Sequence, residues 1–226
     1  MELHYKGKTK DVYALSDGNF QMIFKDDMTG EDGVFDPGAN TVGFSIEGIG
    51  RRNLRMSVLF FEELQRRGIA THYLSADVEN ATMTVRRAAV FGKGLEVICR
   101  YRVTGSFFRR YGEYLPEWTP LPAYVECTLK DDDRGDPLIT CDGLELLGIM
   151  SSPMYEQLKT TAQQIAGVVK EMLAEKELEL CDIKFEFGSD DNEVFLIDEI
   201  ASGNMRVLHK GKIINPIKLT EIMLGE

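Results

Sequence analysis

The segment DIKFEFG at residues 182–188 determines most of what this sequence predicts about its fold. Side chains of a β-strand alternate between its two faces. Asp182, Lys184 and Glu186 therefore share one face, and the apolar residues that separate them share the other. This alternation predicts a half-buried strand with one charged face.

A second strand-like run at residues 193–200 carries Asp198. If the two strands form a hairpin that buries both aromatic faces, its register places Asp198 on the face of Lys184 and Glu186. Two carboxylates beside an ammonium group can hold Mg²⁺ bound to phosphate oxygens, because this ion prefers hard oxygen ligands. A solvated polar face is the alternative that the two strands leave open.

Two loops near the N-terminus carry charged residues suited to ligands. The run KGKTK at residues 6–10 can bring Lys8, Lys10 and backbone N–H groups to a polyphosphate. It lacks the spacing of a Walker A loop, and a solvated N-terminus would also explain it. The acidic run at residues 27–33, with Asp27 and Asp32, can bind a cation or an amino group, or form a plain turn.

Two later segments offer further polar groups. The run RYRVTGS at residues 100–106 follows a strand-like stretch and contains Arg100 and Ser106. An arginine with a neighbouring hydroxyl can hold a phosphate monoester by charge-assisted hydrogen bonds, and a surface arginine pair is the alternative. The acidic loop KDDDRGDP at residues 130–137 contains Asp132 and is by default solvated.

Composition excludes several classes of protein. The chain has 26 Lys and Arg against 37 Asp and Glu, a net charge of −11, which argues against a general nucleic-acid binder. Its four cysteines show neither paired nor metal-ligand spacing. No apolar run is long enough to cross a bilayer. We therefore expect a cytoplasmic protein with reduced thiols and with neither nucleic-acid nor membrane partners.

The order of the predicted elements indicates an α+β chain. Short strands precede the helices, as in a sheet lobe followed by a mixed lobe. We place the N-terminal lobe at residues 1–90 and the larger C-terminal lobe at residues 91–226. The segments behind this division are strands at 11–14, 21–24, 82–86 and 95–101, helices at 53–68 and 153–174, and a loop-rich stretch at 112–143.

Taken in order, these segments resemble the SAICAR synthetase family of purine biosynthesis, from Tyr5 to about Arg206. Residues 96–106, EVICRYRVTGS, resemble the family signature Glu-x-x-x-Arg-x-x-x-Thr/Ala-Gly-Ser. Residues 182–188 match its second signature, Asp-x-Lys-x-Glu-Phe-Gly. The lysine-rich start and both acidic loops also agree with the family.

The resemblance implies a two-lobed fold with an ATP-grasp-like or kinase-like nucleotide cleft between an antiparallel sheet lobe and a larger lobe. It implies a ligase that requires ATP and Mg²⁺ and acts on small-molecule substrates. The carboxylate of carboxyaminoimidazole ribotide would attack the γ-phosphate, and the amine of aspartate would displace phosphate from the acyl phosphate. The protein would act by positioning and charge neutralisation. A homo-oligomer, with a dimer favoured, is also expected.

Residue roles are carried over from the same resemblance. One set would bind the nucleotide, and its last two members would also bind the metal: Lys8, Lys10, Glu186 and Asp198. A second set would bind the ribotide phosphate or border the amine pocket: Arg100, Ser106, Arg206, Asp27 and Asp32. The candidate catalytic residues are Lys184, Asp132 and Arg206.

The chain also departs from the family pattern. Where the family has Ser-Pro-Asp-x-x-Arg, residues 201–206 read ASGNMR and keep only Arg206, and Gly94 replaces a usual proline. A later Asp-Lys-x-Arg-Phe-Arg segment is missing. In the family these positions border the acceptor and amine pockets. Two alternatives therefore stay open: a divergent ligase that joins another acid or amine, and a non-catalytic nucleotide-binding regulator.

Overall fold

The computed structural model describes residues 1–31, 34–35, 41–190 and 193–226. They form two compact units. The first unit consists of Met1–Ala88, Ile197–Asn204 and Asn215–Glu226, and the second of Ala89–Leu196 and Met205–Ile214. The chain passes from the first unit to the second after Ala88, and the segments 197–204 and 215–226 belong to the first unit again. The predicted division had a single boundary, at residue 90.

Strands dominate both units. The strands are β1 (Glu2–Lys6), β2 (Lys10–Ala14), β3 (Phe20–Phe24), β4 (Asp27–Glu31), β5 (Val34–Phe35), β6 (Val42–Ser45), β7 (Tyr73–Asp77), β8 (Thr82–Val85), β9 (Ala89–Val90), β10 (Leu95–Arg102), β11 (Pro120–Leu129), β12 (Leu138–Ile139), β13 (Leu178–Asp190), β14 (Glu193–Ile197), β15 (Met205–His209) and β16 (Lys212–Ile213). The α-helices are α1 (Ile49–Arg66), α2 (Gly105–Tyr111), α3 (Cys141–Leu146), α4 (Ser152–Ala174) and α5 (Pro216–Leu224). None of the helices in the described ranges is long and apolar enough to cross a membrane.

The described residues of the first unit form antiparallel sheets together with α1 and α5. One sheet has the strand order β1-β2-β3-β8-β7, and the other has the order β5-β4-β6. Helix α1 begins four residues before the predicted start, because Asp26 accepts hydrogen bonds from the N–H groups of Gly48 and Gly50, at 2.9 Å each. A cap that comes from a distant strand gives no local sequence signal.

The second unit is built on an antiparallel sheet with the order β12-β11-β10-β13-β15-β16, and β9 and β14 also pair with β13. The predicted alternation along β13 is confirmed from Ile183 to Phe187: Ile183, Phe185 and Phe187 are buried, while Lys184 and Glu186 are half-buried. Asp182 departs from it, because it is buried and paired with two arginines. Helix α4 packs against β10, β11 and β13. Its observed start at Ser152 and end at Ala174 agree with the predicted helix.

The loop predicted for residues 112–143 is wrong in its centre, where β11 runs for ten residues. Pro120 and Pro122 argued against a strand here, because proline donates no ladder hydrogen bond and is rare inside sheets. Both lie at the irregular end of β11, where the register with β10 shifts and Ala123 has a φ of 52°. A bulged strand end tolerates the two prolines.

The strand predicted to reach residue 200 ends earlier, at Ile197. Asp198 follows it with a φ of 66°, in the left-handed region that residues other than glycine rarely adopt. Alternation along the strand therefore does not extend to Asp198. The argument that placed Asp198 on the face of Lys184 and Glu186 is wrong, because it needs a continuous strand.

Candidate active site

Arg100, Asp182 and Arg206 occupy directly opposite positions on the neighbouring strands β10, β13 and β15. Such positions bring side chains of one face within about 5 Å at Cβ. One oxygen of Asp182, Oδ2, accepts from Nη1 of Arg100 at 2.6 Å and from Nη1 of Arg206 at 2.9 Å. The strand register thus places two arginines around one carboxylate.

The other edge of the Arg100 guanidinium is also engaged. Its Nη2 donates to Oγ of Ser106 at 2.8 Å, and its Nε donates to Oε1 of Glu126 at 2.9 Å. Arg100 is 1% exposed, whereas the Arg206 side chain is 16% exposed. The structure therefore brings together the three residues predicted to bind the ribotide phosphate, with Arg100 buried behind Ser106 and Arg206. We call this group the arginine cluster: Arg100, Ser106, Glu126, Asp182 and Arg206.

Gly105 is required for the packing of the arginine cluster. Its φ is 55°, and a Cβ at this position would lie 2.6 Å from Nη1 of Arg206. Only glycine combines this backbone conformation with such a close approach. The glycine of the first signature therefore leaves room for the Arg206 guanidinium.

Two lysine–glutamate pairs lie further along the charged face of the same sheet. Nζ of Lys184 donates to Oε1 of Glu96 at 2.6 Å, and Nζ of Lys130 donates to Oε1 of Glu186 at 2.5 Å. Burial alone would lower the pKa of Lys184, but the nearby Glu96 carboxylate outweighs it, so the pKa is raised above its ordinary value. Lys184 is therefore a fixed positive charge at neutral pH.

Gly94 makes space for one of these pairs. Its φ is 119°, and an added Cβ would lie 3.2 Å from Cδ of Lys130. The proline that is usual in the family cannot adopt this conformation, because its ring fixes φ near −65°. The replacement by glycine is therefore coupled to the path of the Lys130 side chain.

In the first unit, Lys10 lies against two adjacent carboxylates. Its ammonium nitrogen is 3.0 Å from Oδ1 of Asp198 and forms a further ion pair with Glu199. Lys10 and Glu199 are both buried. Proteins usually bind Mg²⁺ through one or two carboxylates together with substrate phosphates. This donor set therefore fits a magnesium nucleotide.

His72 contacts the backbone of Asp198. Its Nε2 lies 2.8 Å from the carbonyl oxygen of Asp198. Burial lowers the pKa of His72 to about 4, so the ring is neutral at pH 7. A carbonyl oxygen can only accept, and Nε2 therefore carries the proton and donates.

The predicted phosphate loop is a turn between β1 and β2. The N–H of Gly7 donates to the carbonyl of Lys10 at 2.9 Å, and a Cβ on Gly7 would lie 2.5 Å from that oxygen. Lys25 holds the turn from outside: its Nζ donates to the Gly7 carbonyl at 2.6 Å and its N–H to the Thr9 carbonyl at 2.8 Å. The half-buried Lys8 lies in this turn.

The remaining predicted residues lie outside these groups. Asp27, in β4, accepts a hydrogen bond from Oγ of Ser45 at 2.6 Å. Asp132 is exposed and begins a short 3₁₀ turn that ends at Arg134. Asp32 lies outside the described residues. Within the described ranges, no group of three or more His, Cys, Asp or Glu is arranged to hold a metal ion.

Sequence reasoning missed several residues of these groups: Glu96, Glu126, Lys130, Glu199 and His72. Glu96 is the first residue of the first signature and Glu199 directly follows Asp198, so their positions in the sequence could have identified both. Glu126 lies in the strand that was mistaken for a loop. His72 carried no signal, because a single histidine before a strand is ordinary.

Comparison with known proteins gives matches along nearly the whole chain. The family model described as SAICAR synthetase matches residues 3–217. The phosphoribosylaminoimidazole-succinocarboxamide synthase of Clostridium tetani is 54% identical over 99% of this chain and 100% of its own length. The enzyme of the same name from Thermotoga maritima is 37% identical over 93% of this chain and 87% of its own.

Solved structures agree with these matches. A type-2 SAICAR synthetase in complex with ADP has a TM-score of 0.86 and 29% identity, covering 98% of this chain and 97% of that one. A type-1 SAICAR synthetase structure from Pyrococcus horikoshii OT3 has a TM-score of 0.83 and 28% identity, covering 96% and 98%.

Proposed function

Because the chain belongs to the SAICAR synthetase family, we propose that it is the ATP-dependent ligase that forms SAICAR in purine biosynthesis. The substrates are ATP, carboxyaminoimidazole ribotide and aspartate. The observation that carries this proposal is the arginine cluster, because Arg100, Ser106 and Asp182 occupy signature positions and, with Arg206, bring two guanidinium groups and a hydroxyl together.

The arginine cluster suits the phosphate of the ribotide. Ser106 and the partly exposed Arg206 offer a hydroxyl and a guanidinium, which together favour a phosphate monoester. Arg100 is already paired with Glu126 and Asp182, so its part is to hold the Ser106 hydroxyl and the Asp182 carboxylate in place. The ribotide would thereby be held at the end opposite its reacting carboxylate.

The nucleotide would bind through Lys8, Lys10 and Asp198 of the first unit, and a role for Glu186 stays a prediction of the family resemblance. Lys8 and Lys10 belong to a turn and strand that are suited to phosphate oxygens, and Asp198 presents a carboxylate beside Lys10. Mg²⁺, held by Asp198 when bound, would neutralise phosphate charge. A homodimer stays a prediction, which sedimentation equilibrium would test.

The chemistry needs positioning and charge neutralisation and no covalent protein nucleophile. A carboxylate oxygen of the ribotide attacks the γ-phosphorus, the bond from this phosphorus to ADP breaks, and an acyl phosphate forms. The neutral amine of aspartate then attacks the acyl carbon and gives up one proton to solvent, and inorganic phosphate leaves with the former carboxylate oxygen. The Lys184 ammonium offsets developing negative charge, and Asp132 contributes a carboxylate near the reacting group.

One observation favours a second candidate, a ligase that uses another amine. In the segment 201–205, Oγ of Ser202 donates to Oδ1 of Asn53 at 2.7 Å, and Oδ1 of Asn204 accepts from the N–H of Ala201 at 2.9 Å. Both side chains are buried and bonded internally. A pocket that loses polar partners can change its preferred substrate strongly.

A competition assay separates the two candidates. The enzyme is supplied with the ribotide, ATP, Mg²⁺ and equal amounts of aspartate, alanine and ammonium, and the products are identified by mass. We expect the succinyl product to dominate and ADP formation to be nearly abolished in Asp198→Asn. A dominant product without the succinyl mass would replace aspartate by another donor, and full turnover by Asp198→Asn would remove Asp198 from the nucleotide site.

A further inference from the structure

We infer that His72 is a positioning residue for the nucleotide site: its ring N–H holds the peptide carbonyl of Asp198 and thereby fixes the Asp198 carboxylate beside Lys10. The two contacts are a hydrogen bond of 2.8 Å from Nε2 of His72 and an ion pair of 3.0 Å from Lys10. The inference rests on the proposed role of Asp198 in binding the nucleotide.

The conformation of Asp198 needs outside support. Its φ of 66° lies in the left-handed region, which is disfavoured for most residues with a Cβ, although Asp adopts it more readily than most. Such conformations persist where surrounding contacts over-determine them, and they concentrate at functional sites. In the described part of the chain, the His72 ring supplies such a contact to the Asp198 carbonyl, and Lys10 supplies one to its carboxylate.

The His72 ring is itself held in place. It packs against the Phe61 ring of α1, with the two centroids 5.7 Å apart, and is 4% exposed. The backbone N–H of Arg86 donates to the His72 carbonyl at 2.8 Å, and Nε of Arg86 donates to the Thr71 carbonyl at 3.0 Å. The donor thus comes from a buried, well-packed part of the first unit.

The direction of the effect follows from this geometry. Without the ring N–H, the carbonyl of Asp198 loses the hydrogen bond from His72, and the peptide is less restrained from rotating towards the common backbone regions. Because the carboxylate is attached to the same α-carbon, this rotation moves it away from the position that Lys10 fixes. Misplacing a charged group by about 1 Å can cost about a hundredfold in activity.

Calorimetric titration with ADP and Mg²⁺ tests the inference by a measurement other than turnover. His72→Met keeps an apolar side chain of similar bulk but removes the donor, and it should weaken the affinity for magnesium ADP by about tenfold. His72→Gln offers an N–H at a similar distance and should bind within about threefold of the unmodified protein. Thr71→Val is the matched control: it removes the weak bond from the N–H of Tyr73 to Oγ1 of Thr71, at 3.3 Å, without touching Asp198.

A double-mutant cycle with Asp198→Asn distinguishes positioning from a general loss of structure. If His72 acts through Asp198, adding His72→Met to Asp198→Asn should weaken the affinity much less than His72→Met alone. Equal losses in both backgrounds would overturn the inference, as would unchanged affinity in His72→Met. Unchanged affinity in Asp198→Asn itself would instead refute the proposed role of Asp198. If His72→Met does not fold, His72→Asn replaces it, because its shorter side chain cannot reach the carbonyl, and the same outcomes decide.

Discussion

Replacing Arg100 by alanine should mainly lower the stability of the second unit. Arg100 is almost fully buried and bonds to Glu126 and Asp182, which are also buried. Removing one partner of a buried ion pair typically costs about 3–5 kcal/mol, because the other charge stays desolvated. Here Arg110 still bonds to Glu126 and Arg206 still bonds to Asp182, so we expect about 3 kcal/mol, the lower end of that range.

Urea-induced unfolding of Arg100→Ala measures this cost. Arg102→Ala is the matched control on the same strand: Arg102 bonds to Glu179 at the surface, where an ion pair contributes about 0–1 kcal/mol. If Arg100→Ala unfolds at the same urea concentration as Arg102→Ala, the buried network does not stabilise the fold and the reasoning fails.

Arg206→Ala leaves Asp182 paired with Arg100. It should raise the KM for the ribotide by about 10- to 100-fold, because a charge-assisted bond to the ligand is lost.

Three other predictions follow from the described contacts. Gly7→Ala should raise the KM for ATP by about tenfold, because its Cβ would meet the Lys10 carbonyl. Gly167→Ala, in open space on α4, is the control and should leave the KM for ATP unchanged. Equal effects of the two substitutions in steady-state kinetics would contradict the prediction. In the native protein a thiol reagent should modify Cys141 first. Burial raises the pKa of the other thiols, Cys99, Cys127 and Cys181, to about 12, which makes them less reactive. Mass spectrometry of the partly modified protein would identify the first site. Without nucleotide or Mg²⁺, the free energy of unfolding should fall by about 3 kcal/mol between pH 6.5 and pH 4. The reason is that His72 takes up a proton in the unfolded chain, whereas the folded ring, which faces Asp198, Lys10 and Arg86, stays neutral. His72→Gln should lack this part of the pH dependence.

The charged face of the second unit was predictable from sequence, because strand alternation is a property of the local chain. Alternation in residues 182–188 correctly separated the buried aromatic residues from Lys184 and Glu186. It could not reveal that Arg100 and Arg206 meet at Asp182, since that contact depends on the order of β10, β13 and β15. The family signature supplied what the pattern of single strands could not.

Two errors have the same physical origin, because irregular backbone has no periodic signal. Asp198 follows β14 in a left-handed conformation, although nothing in its neighbours suggests the end of a strand. Pro120 and Pro122 made β11 look like a loop, although a bulge accommodates them. The support from His72 was equally invisible, because it joins two backbone segments that are 126 residues apart.

The length of β13 has a consequence for the size of the acceptor. Asp182, in the arginine cluster, and Glu186, in the pair with Lys130, are four residues apart on one continuous strand. At about 3.3 Å per residue their α-carbons are about 13 Å apart, and no loop between them can adjust this distance. If the arginine cluster holds one end of the acceptor, as proposed, a molecule that also reached the Lys130–Glu186 pair would have to match this fixed length.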